Sequence, residues 1–537
     1  MTRLSGRAVA VLALTFAVHA WGIDWGLPGE YGWAPDEVLP QAVTAAWEQR
    51  FAGGWHEKYP PLHYALMGVV HGPVRLASRW LGWAGPRQHY ALFLAGRALS
   101  LAMAAGTILL VYLCGRRLDP PGEDDLGAAF AALLAGLSVP FVFYAKLANL
   151  DVPYLFWFAF ALLFYVRVLE AHRLRDYVLF AVVAAASVAT KDQAYALYLL
   201  VPFAVLPSLR RRLAAEGAPG GWGATLRDRR PWLALVAGAA AFVMLDNVLF
   251  NLSGFRAHLR VITGAASTDF RMFAPTAAGQ LALLVRTLRD LSFSLGGPAF
   301  LACLLGIAAS LLRFRQDARR LALLVPAVSY YAGFLAVVLY TYDRFVLPLC
   351  LVLAFFGGQA LAEGWRLRGA ARIPARLAVA AVLAVCLARA VSVDLVLRGD
   401  SRYAAEAWLR GNASAADLVA AVGPLEYLPR LDGLRWRRLG PSVSRLVQVH
   451  PDVVVVNADH AARSEPGTAD RELYDGLADG RLGYRLAHRE DARPGHSWID
   501  PARLRAEGTG ASNLDKVSPT ILVYRHDTSA PRGSGQE

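Results

Sequence analysis

Charge, cysteine and internal repetition are all scarce in this 537-residue chain, and each scarcity excludes something. Charged residues make up 18% of the sequence, against about 25% in an ordinary soluble protein. That deficit excludes intrinsic disorder and argues against an ordinary multidomain soluble enzyme. The four cysteines, Cys114, Cys303, Cys350 and Cys386, each lie inside an apolar run, and none belongs to a CxxC. Neither a disulfide framework nor a metal–thiolate site follows from them. No repeated half is visible, which weighs against a transporter or flippase assembled from two related bundles. What the chain does have is apolar residues, 56% of the total, arriving in runs of bilayer length.

These runs lie near 8–24, 90–114, 126–145, 150–169, 175–191, 193–209, 231–251, 287–312, 320–341, 344–362 and 377–396, eleven candidate spans in all. The first follows only Arg3 and Arg7 and has no small-residue cleavage site before Trp21, so it reads as a retained helix with Trp21 and Trp25 at its edge. Alternate connecting segments differ in charge. Segments 1–7, 115–125, 167–177, 208–231, 313–320 and 363–376 hold 21 Lys and Arg, whereas the intervening loops 24–60, 83–89, 146–151, 191–192, 252–286 and 341–344 hold ten. By the positive-inside rule the first set is cytoplasmic, with the N-terminus inside and the C-terminal tail outside a multi-pass inner (plasma) membrane protein. Segment 61–82 would upset this alternation if it crossed. It carries His63, His71, Arg75, Ser78 and Arg79, and a mid-bilayer arginine costs roughly 2.5–3.5 kcal/mol, so it is expected to lie in the interface.

Beyond 397 the grammar changes. Residues 452–456 and 520–524 read as strands, and 403–410 and 468–479 as helices, which suits a small extracytoplasmic α/β domain over 398–528. Residues 529–537 form a Pro/Gly/Ser-rich, disordered end. No Gly-rich phosphate loop follows a tail strand, so a nucleotide site has no support there. Nor is there a basic or aromatic cluster that would make the tail the working part of a membrane-anchored binding or scaffold protein.

The polar groups that invite a chemical reading sit at the outer ends of the spans. After Pro35, Asp36 and Glu37 would occupy the first turn of a helix, either as charges favoured there or as a carboxylate acting as general base. In Trp55-His56-Glu57-Lys58-Tyr59-Pro60-Pro61-Leu62 the proline pair stiffens the chain and puts Lys58 at headgroup depth, as a snorkelling anchor or a grip on a lipid-linked phosphate. Lys146 and Asp151 lie within Tyr144-Ala145-Lys146-Leu147-Ala148-Asn149-Leu150-Asp151, where they could pair at the surface for about 0–1 kcal/mol. Lys191 and Asp192 fall between runs too close to leave a real loop, and charges so near hydrocarbon are functional candidates. Arg344, in Tyr342-Asp343-Arg344-Phe345, suits bidentate grip on phosphate. All of these clusters fall on one expected face of the membrane. The loop 252–286, with Arg256, Arg260 and Arg271, would either cover that face or lie on the membrane with no catalytic part.

With an Asp-Glu pair in the first outer loop, then Tyr-Pro-Pro-Leu, Tyr-Ala-Lys-Leu-Ala-x-x-Asp and a late Asp-Arg-Phe-x-Leu-Pro, the sequence over most of 8–365 resembles glycosyltransferase family 39. This is the GT-C superfamily group that includes protein O-mannosyltransferases and bacterial lipid A aminoarabinose transferases. The resemblance implies an α-helical polytopic membrane protein of about 11 to 13 transmembrane helices, residues 1–397 being the GT-C-like domain. It implies an inverting hexosyl or pentosyl transferase that moves a sugar from a polyprenyl-phosphate donor to an extracytoplasmic protein, lipid or glycan. Asp36 would be the catalytic base beside Glu37, Lys58 and Arg344 would meet the donor phosphate, and Glu57, Tyr59, Lys146, Asp151, Lys191 and Asp192 would line the cavity. Lys146 stands where the family more usually has arginine, and the Ser-Pro-Thr-Ile-Leu-Val-Tyr stretch of the tail matches no catalytic motif. His56, Glu57 and Asp36 are too few and too irregularly spaced to define a metal site, so a divalent ion stays an open option. A polytopic lipid or solute transporter without transferase activity is the competing reading. The net charge of +13 belongs wholly to the membrane part, the tail holding 19 basic and 19 acidic residues, so it signals topology and not nucleic acid.

Overall fold

The computed structural model describes residues 4–29, 31–49, 59–119, 122–217, 221–491, 498–507 and 512–527. The chain divides into two compact units, one of 1–23 with 38–391 and the other of 24–37 with 392–537. The first outer loop is thus split, and its beginning is grouped with the tail.

The larger unit is helical. Among the described residues six helices are long and apolar enough to cross a membrane: Pro86–Leu118, Asp151–Ala171, Asp192–Ala215, Ala318–Val338, Asp343–Arg366 and Gly369–Asn412. A seventh is added if Ala277–Leu295 and Gly297–Leu312 count as one. The shortfall against eleven runs has local causes. The runs at 8–24, 175–191 and 231–251 form helices of 15, 15 and 17 residues, below the roughly 20 that span a bilayer. The run at 126–145 breaks into Leu126–Gly136 and Val139–Tyr144, because Ser138 is extended and Pro140 has no N–H to continue the ladder. The expected single span at 287–312 is two helices meeting at 114°. Gly296 sits between them at φ +85, a backbone that side chains rarely adopt. Helix Asp343–Arg366 is the most enclosed of the candidates. Segment 61–82 forms one helix, Leu62–Leu81, that buries His63, Met67, His71 and Ser78 and leaves Val69, Leu76 and Trp80 exposed. The stretch 252–286 is largely helical too, in Leu252–Thr263 and the start of Ala277–Leu295.

The smaller unit is a five-stranded sheet with helices on both faces. Strands β1 (Leu418–Val422), β2 (Arg435–Leu439), β3 (Val453–Asn457), β4 (Tyr484–Glu490) and β5 (Ile521–His526) run in the order β2-β1-β3-β5-β4. The β1 pairings are parallel, and β5 is antiparallel to both neighbours. Alternation along β1 and β3 sends Val422, Val454 and Val456 towards Leu446, Leu473 and Leu477 on one face. Val419, Val453 and Val455 meet Ala405 and Leu409 of helix Ser401–Asn412 on the other. The sequence reading picks out β3 and β5 and misses three strands: β2 and β4 are edge strands with exposed charges in place of continuous apolar runs, and the interior β1 is a five-residue run with two alanines.

Candidate functional site

Within the larger unit three of the clusters singled out in the sequence converge. Asp151 opens helix Asp151–Ala171 and is 2% exposed. Lys191 leaves helix Leu174–Val188 through a tight turn and enters a short 3-10 helix in extended conformation. Its Nζ donates to Asp151 Oδ1 at 2.6 Å. Asn149 closes the other side, its Nδ2 donating to Asp151 Oδ2 at 3.2 Å while its Oδ1 accepts from the Asp151 backbone N–H. The Lys191 ammonium also lies over the rings of Tyr154, at 5.6 Å, and Phe345, at 5.9 Å. Gln193 Nε2 donates to the hydroxyls of Tyr154 and Tyr330, each at 2.9 Å. From the third cluster, the Arg344 guanidinium lies 5.8 Å from the centre of the same Phe345 ring and 5.2 Å from that of Tyr342. One phenylalanine therefore carries two cations, one of them paired with a buried carboxylate. Tyr144 donates to Asp343 Oδ1 at 3.3 Å from beneath.

Two other candidates point elsewhere. Asp192 meets His258 Nε2 at 2.8 Å, an ion pair only when that imidazole is protonated. Lys146 is fully buried, and its Nζ donates to the carbonyls of Val18 (3.2 Å) and Trp21 (2.9 Å). These lie at the C-terminal end of helix Gly6–Ala20, where unsatisfied carbonyls favour a cation. The surface pairing of Lys146 with Asp151 expected from their spacing is not the arrangement adopted: both are buried, and Asp151 is paired with Lys191.

Asp36 and Glu37 belong to the smaller unit. They are not in the first turn of a helix. Asp36 is exposed in a turn with φ +59, and the next helix, Pro40–Glu48, begins only at a second proline. Asp tolerates the left-handed region because its short polar side chain bonds locally. The Asp36 carboxylate lies near Tyr427: burial pushes that phenol up to about 12, with the negative charges of Glu426 and Asp36 adding to the shift. The segment bearing Asp36 is anchored by two buried tryptophans, Trp33 against Arg402, Tyr403 and Arg430, and Trp25 against Arg402. The smaller unit therefore does contain a basic and aromatic cluster. It was not visible in the tail because its tryptophans come from the far end of the chain.

Tyr59 is half-buried just before helix Leu62–Leu81, whereas His56, Glu57 and Lys58 lie outside the described residues. Among the described residues no three His, Cys, Asp or Glu side chains gather as metal ligands. All four cysteines are free and buried. Tyr154, Tyr330, Arg402 and Arg430 were not singled out in the sequence. Composition held one usable signal, since only four of the 55 basic residues are lysine and three of these fall in the clusters described above.

No curated protein matches this chain. Among solved structures, ArnT from Cupriavidus metallidurans bound to undecaprenyl phosphate is similar at 14% identity, over 100% of both chains, with a TM-score of 0.47. The Archaeoglobus fulgidus oligosaccharyltransferase tethered to an acceptor peptide aligns at 15% identity over 91% of this chain and 73% of that one, TM-score 0.44. The S. cerevisiae protein O-mannosyltransferase Pmt1-Pmt2 complex bound to the sugar donor aligns at 18% identity over 51% of this chain and 36% of that one, TM-score 0.31. Residues 80–244, which include Asp151 and Lys191, match the family model described as dolichyl-phosphate-mannose-protein mannosyltransferase. The match covers 165 of the 537 residues, and its description names one of the groups that the sequence resembles.

Proposed function

We propose that this chain is a membrane glycosyltransferase that moves a sugar from a polyprenyl-phosphate-linked donor to an acceptor hydroxyl or amine on the extracytoplasmic face, with inversion at the anomeric carbon. The observation that carries this reading is the pair of cations on Phe345, Lys191 and Arg344, beside the buried Asp151; of these, Asp151 and Lys191 lie in the stretch that matches the family model. A lipid phosphate leaves without a nucleotide, so the reaction asks the protein for little covalent chemistry. It needs cations where negative charge accumulates as the bond from the anomeric carbon to the phosphate oxygen breaks, in a setting that holds little water. Arg344 supplies a planar fork for that phosphate, and Lys58 a second charge from the Tyr-Pro-Pro approach. Lys191 is held in place by Asp151, so that its ammonium is fixed beside Phe345 although the pair carries no net charge.

The second requirement is a base. As the new bond forms from acceptor to anomeric carbon, the acceptor proton must go to a group within reach, and Asp36 takes it. Its exposed position in a turn leaves the carboxylate within reach of an arriving acceptor. Glu37 neighbours it in the pair. A divalent ion is neither required by these steps nor ruled out by them.

The test is transfer from radiolabelled polyprenyl-phosphate sugars, dolichyl-phosphate mannose first, in membranes from a source strain lacking its own copy, which hold the native acceptor. Asp36→Asn is expected to insert and fold normally while losing about 10²–10⁴ in rate. Transfer at the unmodified rate would remove Asp36 from the role of base. No transfer by the unmodified chain from any such donor would remove the transferase reading itself.

A further inference from the structure

Fourteen residues, 24–37, are held in the smaller unit by an anchor far heavier than a connecting loop requires. Trp33 is 1% exposed and Trp25 2%. The Arg402 guanidinium lies 4.3 Å from the centre of the Trp33 ring and 5.3 Å from that of Trp25. Arg430 lies 5.2 Å from the Trp33 ring, and Tyr403 meets that ring edge-on at 4.7 Å. Each arginine is itself locked. Arg402 is forked onto Asp400 through Nε (2.9 Å) and a terminal nitrogen (2.7 Å), with both side chains fully buried. Arg430 is forked onto Glu406 at 2.7 and 2.6 Å. The backbone is tied as well: Arg430 donates to the Leu27 carbonyl at 2.6 Å, the Gly26 N–H donates to the Tyr403 hydroxyl, and Trp25 Nε1 donates to Asp400.

Both arginines are paired with carboxylates, so no net charge is buried, and a paired guanidinium gives up few degrees of freedom when it meets a ring. Such an arrangement fixes direction more than it adds stability, since buried ion pairs are weak stabilisers but exacting in geometry. Three residues beyond the clamped Trp33 comes the turn at φ +59 that presents Asp36. With Pro35 buried between them, the turn has little freedom to rotate about its anchor.

We propose that Arg402 and Arg430, acting through Trp33, are positioning residues for Asp36, so that the tail domain sets the orientation of the catalytic base. The proposal rests on the reading of Asp36 as base and goes beyond it, because it gives the C-terminal domain a part in the chemical step. A base displaced by about 1 Å costs up to a hundredfold in rate. Donor binding, which the proposed function assigns to groups of the other unit, should hardly respond.

The experiment uses the full chain and the same donor and membranes as above. Trp33→Leu removes the aromatic face and keeps an apolar side chain; Trp33→Phe restores a face. For Trp33→Leu, kcat is expected to fall by about tenfold or more with donor KM within about twofold, and Trp33→Phe should recover most of the loss. A kcat near the unmodified value in Trp33→Leu, with Asp36→Asn inactive, overturns the positioning role and leaves the base assignment standing. A loss carried equally by KM, or Trp33→Phe as damaging as Trp33→Leu, also overturns it, as both describe general loosening. If Trp33→Leu is not recovered folded, Arg430→Lys serves: it keeps the charge, loses the fork, and should lower kcat several-fold at constant KM. Unchanged kcat in that variant rejects the proposal. Full activity of Asp36→Asn sinks the base reading, and the proposal with it.

Discussion

With 51 arginines against four lysines, lysine is the rare cation of this chain. A compact ammonium can be seated on one carboxylate oxygen between rings, as Lys191 is, where a guanidinium would need more room and more acceptors. Lys191 stood out in the sequence because a charge at hydrocarbon depth is costly. Its partner was not. Sequence spacing offered Lys146 to Asp151, but Asp151 begins a helix, and the residues before it turn Lys146 towards the end of another helix. Burial of the Lys191–Asp151 pair makes its energetics testable. Lys191→Met strands a carboxylate at 2% exposure and should destabilise the protein by roughly 3–5 kcal/mol, as a broken buried pair does. Lys191→Met combined with Asp151→Asn removes both charges and should cost less than the single change. Thermal unfolding in detergent decides the order, and a double variant less stable than the single one would contradict the pairing as the source of the effect.

Elements were legible where one residue pattern persisted, and illegible where a single residue or a neighbouring strand decided the outcome. The proline-free runs at 90–114 and 377–396 became long helices, whereas those at 8–24 and 175–191 stopped at 15 residues. Ser138 with Pro140, and Gly296, cut runs that hydropathy alone treats as continuous. In the tail the interior strand β3 has the apolar run that burial on both faces demands, while β2 and β4 announce nothing, since their status depends on the sheet order. Helix packing in the larger unit relies on small residues in the same context-dependent way. A Cβ at Gly358 would lie 2.4 Å from the backbone N of Ala131 and 2.6 Å from the carbonyl of Gly127, on helix Leu126–Gly136. Backbone atoms cannot swing aside, so Gly358→Ala must part the helices and should cost about 1–3 kcal/mol. Gly72, by contrast, has open space where its Cβ would go. There Gly→Ala should be neutral or stabilising by up to about 1 kcal/mol. Comparing the melting temperatures of the two variants checks the argument, and equal losses would refute it.

At the scale of the whole molecule, one fold contact constrains topology that hydropathy could only count. Trp25 and Trp33 are packed against Arg402 and Arg430 within one compact unit, so segment 24–37 and the tail must lie on the same side of the membrane. The chain between them therefore crosses an even number of times. Of the eleven apolar runs one precedes residue 24, leaving ten between, and six helices of spanning length are described there; both numbers are even, whereas counting the bent pair as a further span gives seven. For the direction we propose what the distribution of charge favours: 36 basic against 23 acidic residues before 398 and 19 against 19 after it, with the excess in the segments expected to be cytoplasmic. Three single cysteines test both statements in intact cells with a membrane-impermeant maleimide. Asp24→Cys gives up only a 3.7 Å surface pairing with Arg398, and Ala415→Cys and Ala214→Cys lie on exposed positions. The four native cysteines are buried and should give little background. Positions 24 and 415 are expected to label from outside and position 214 only after lysis. Labelling of 24 and 415 from opposite sides breaks the parity. Labelling of both only from the cytoplasmic side keeps the parity, reverses the orientation, and moves Asp36 away from any extracytoplasmic acceptor.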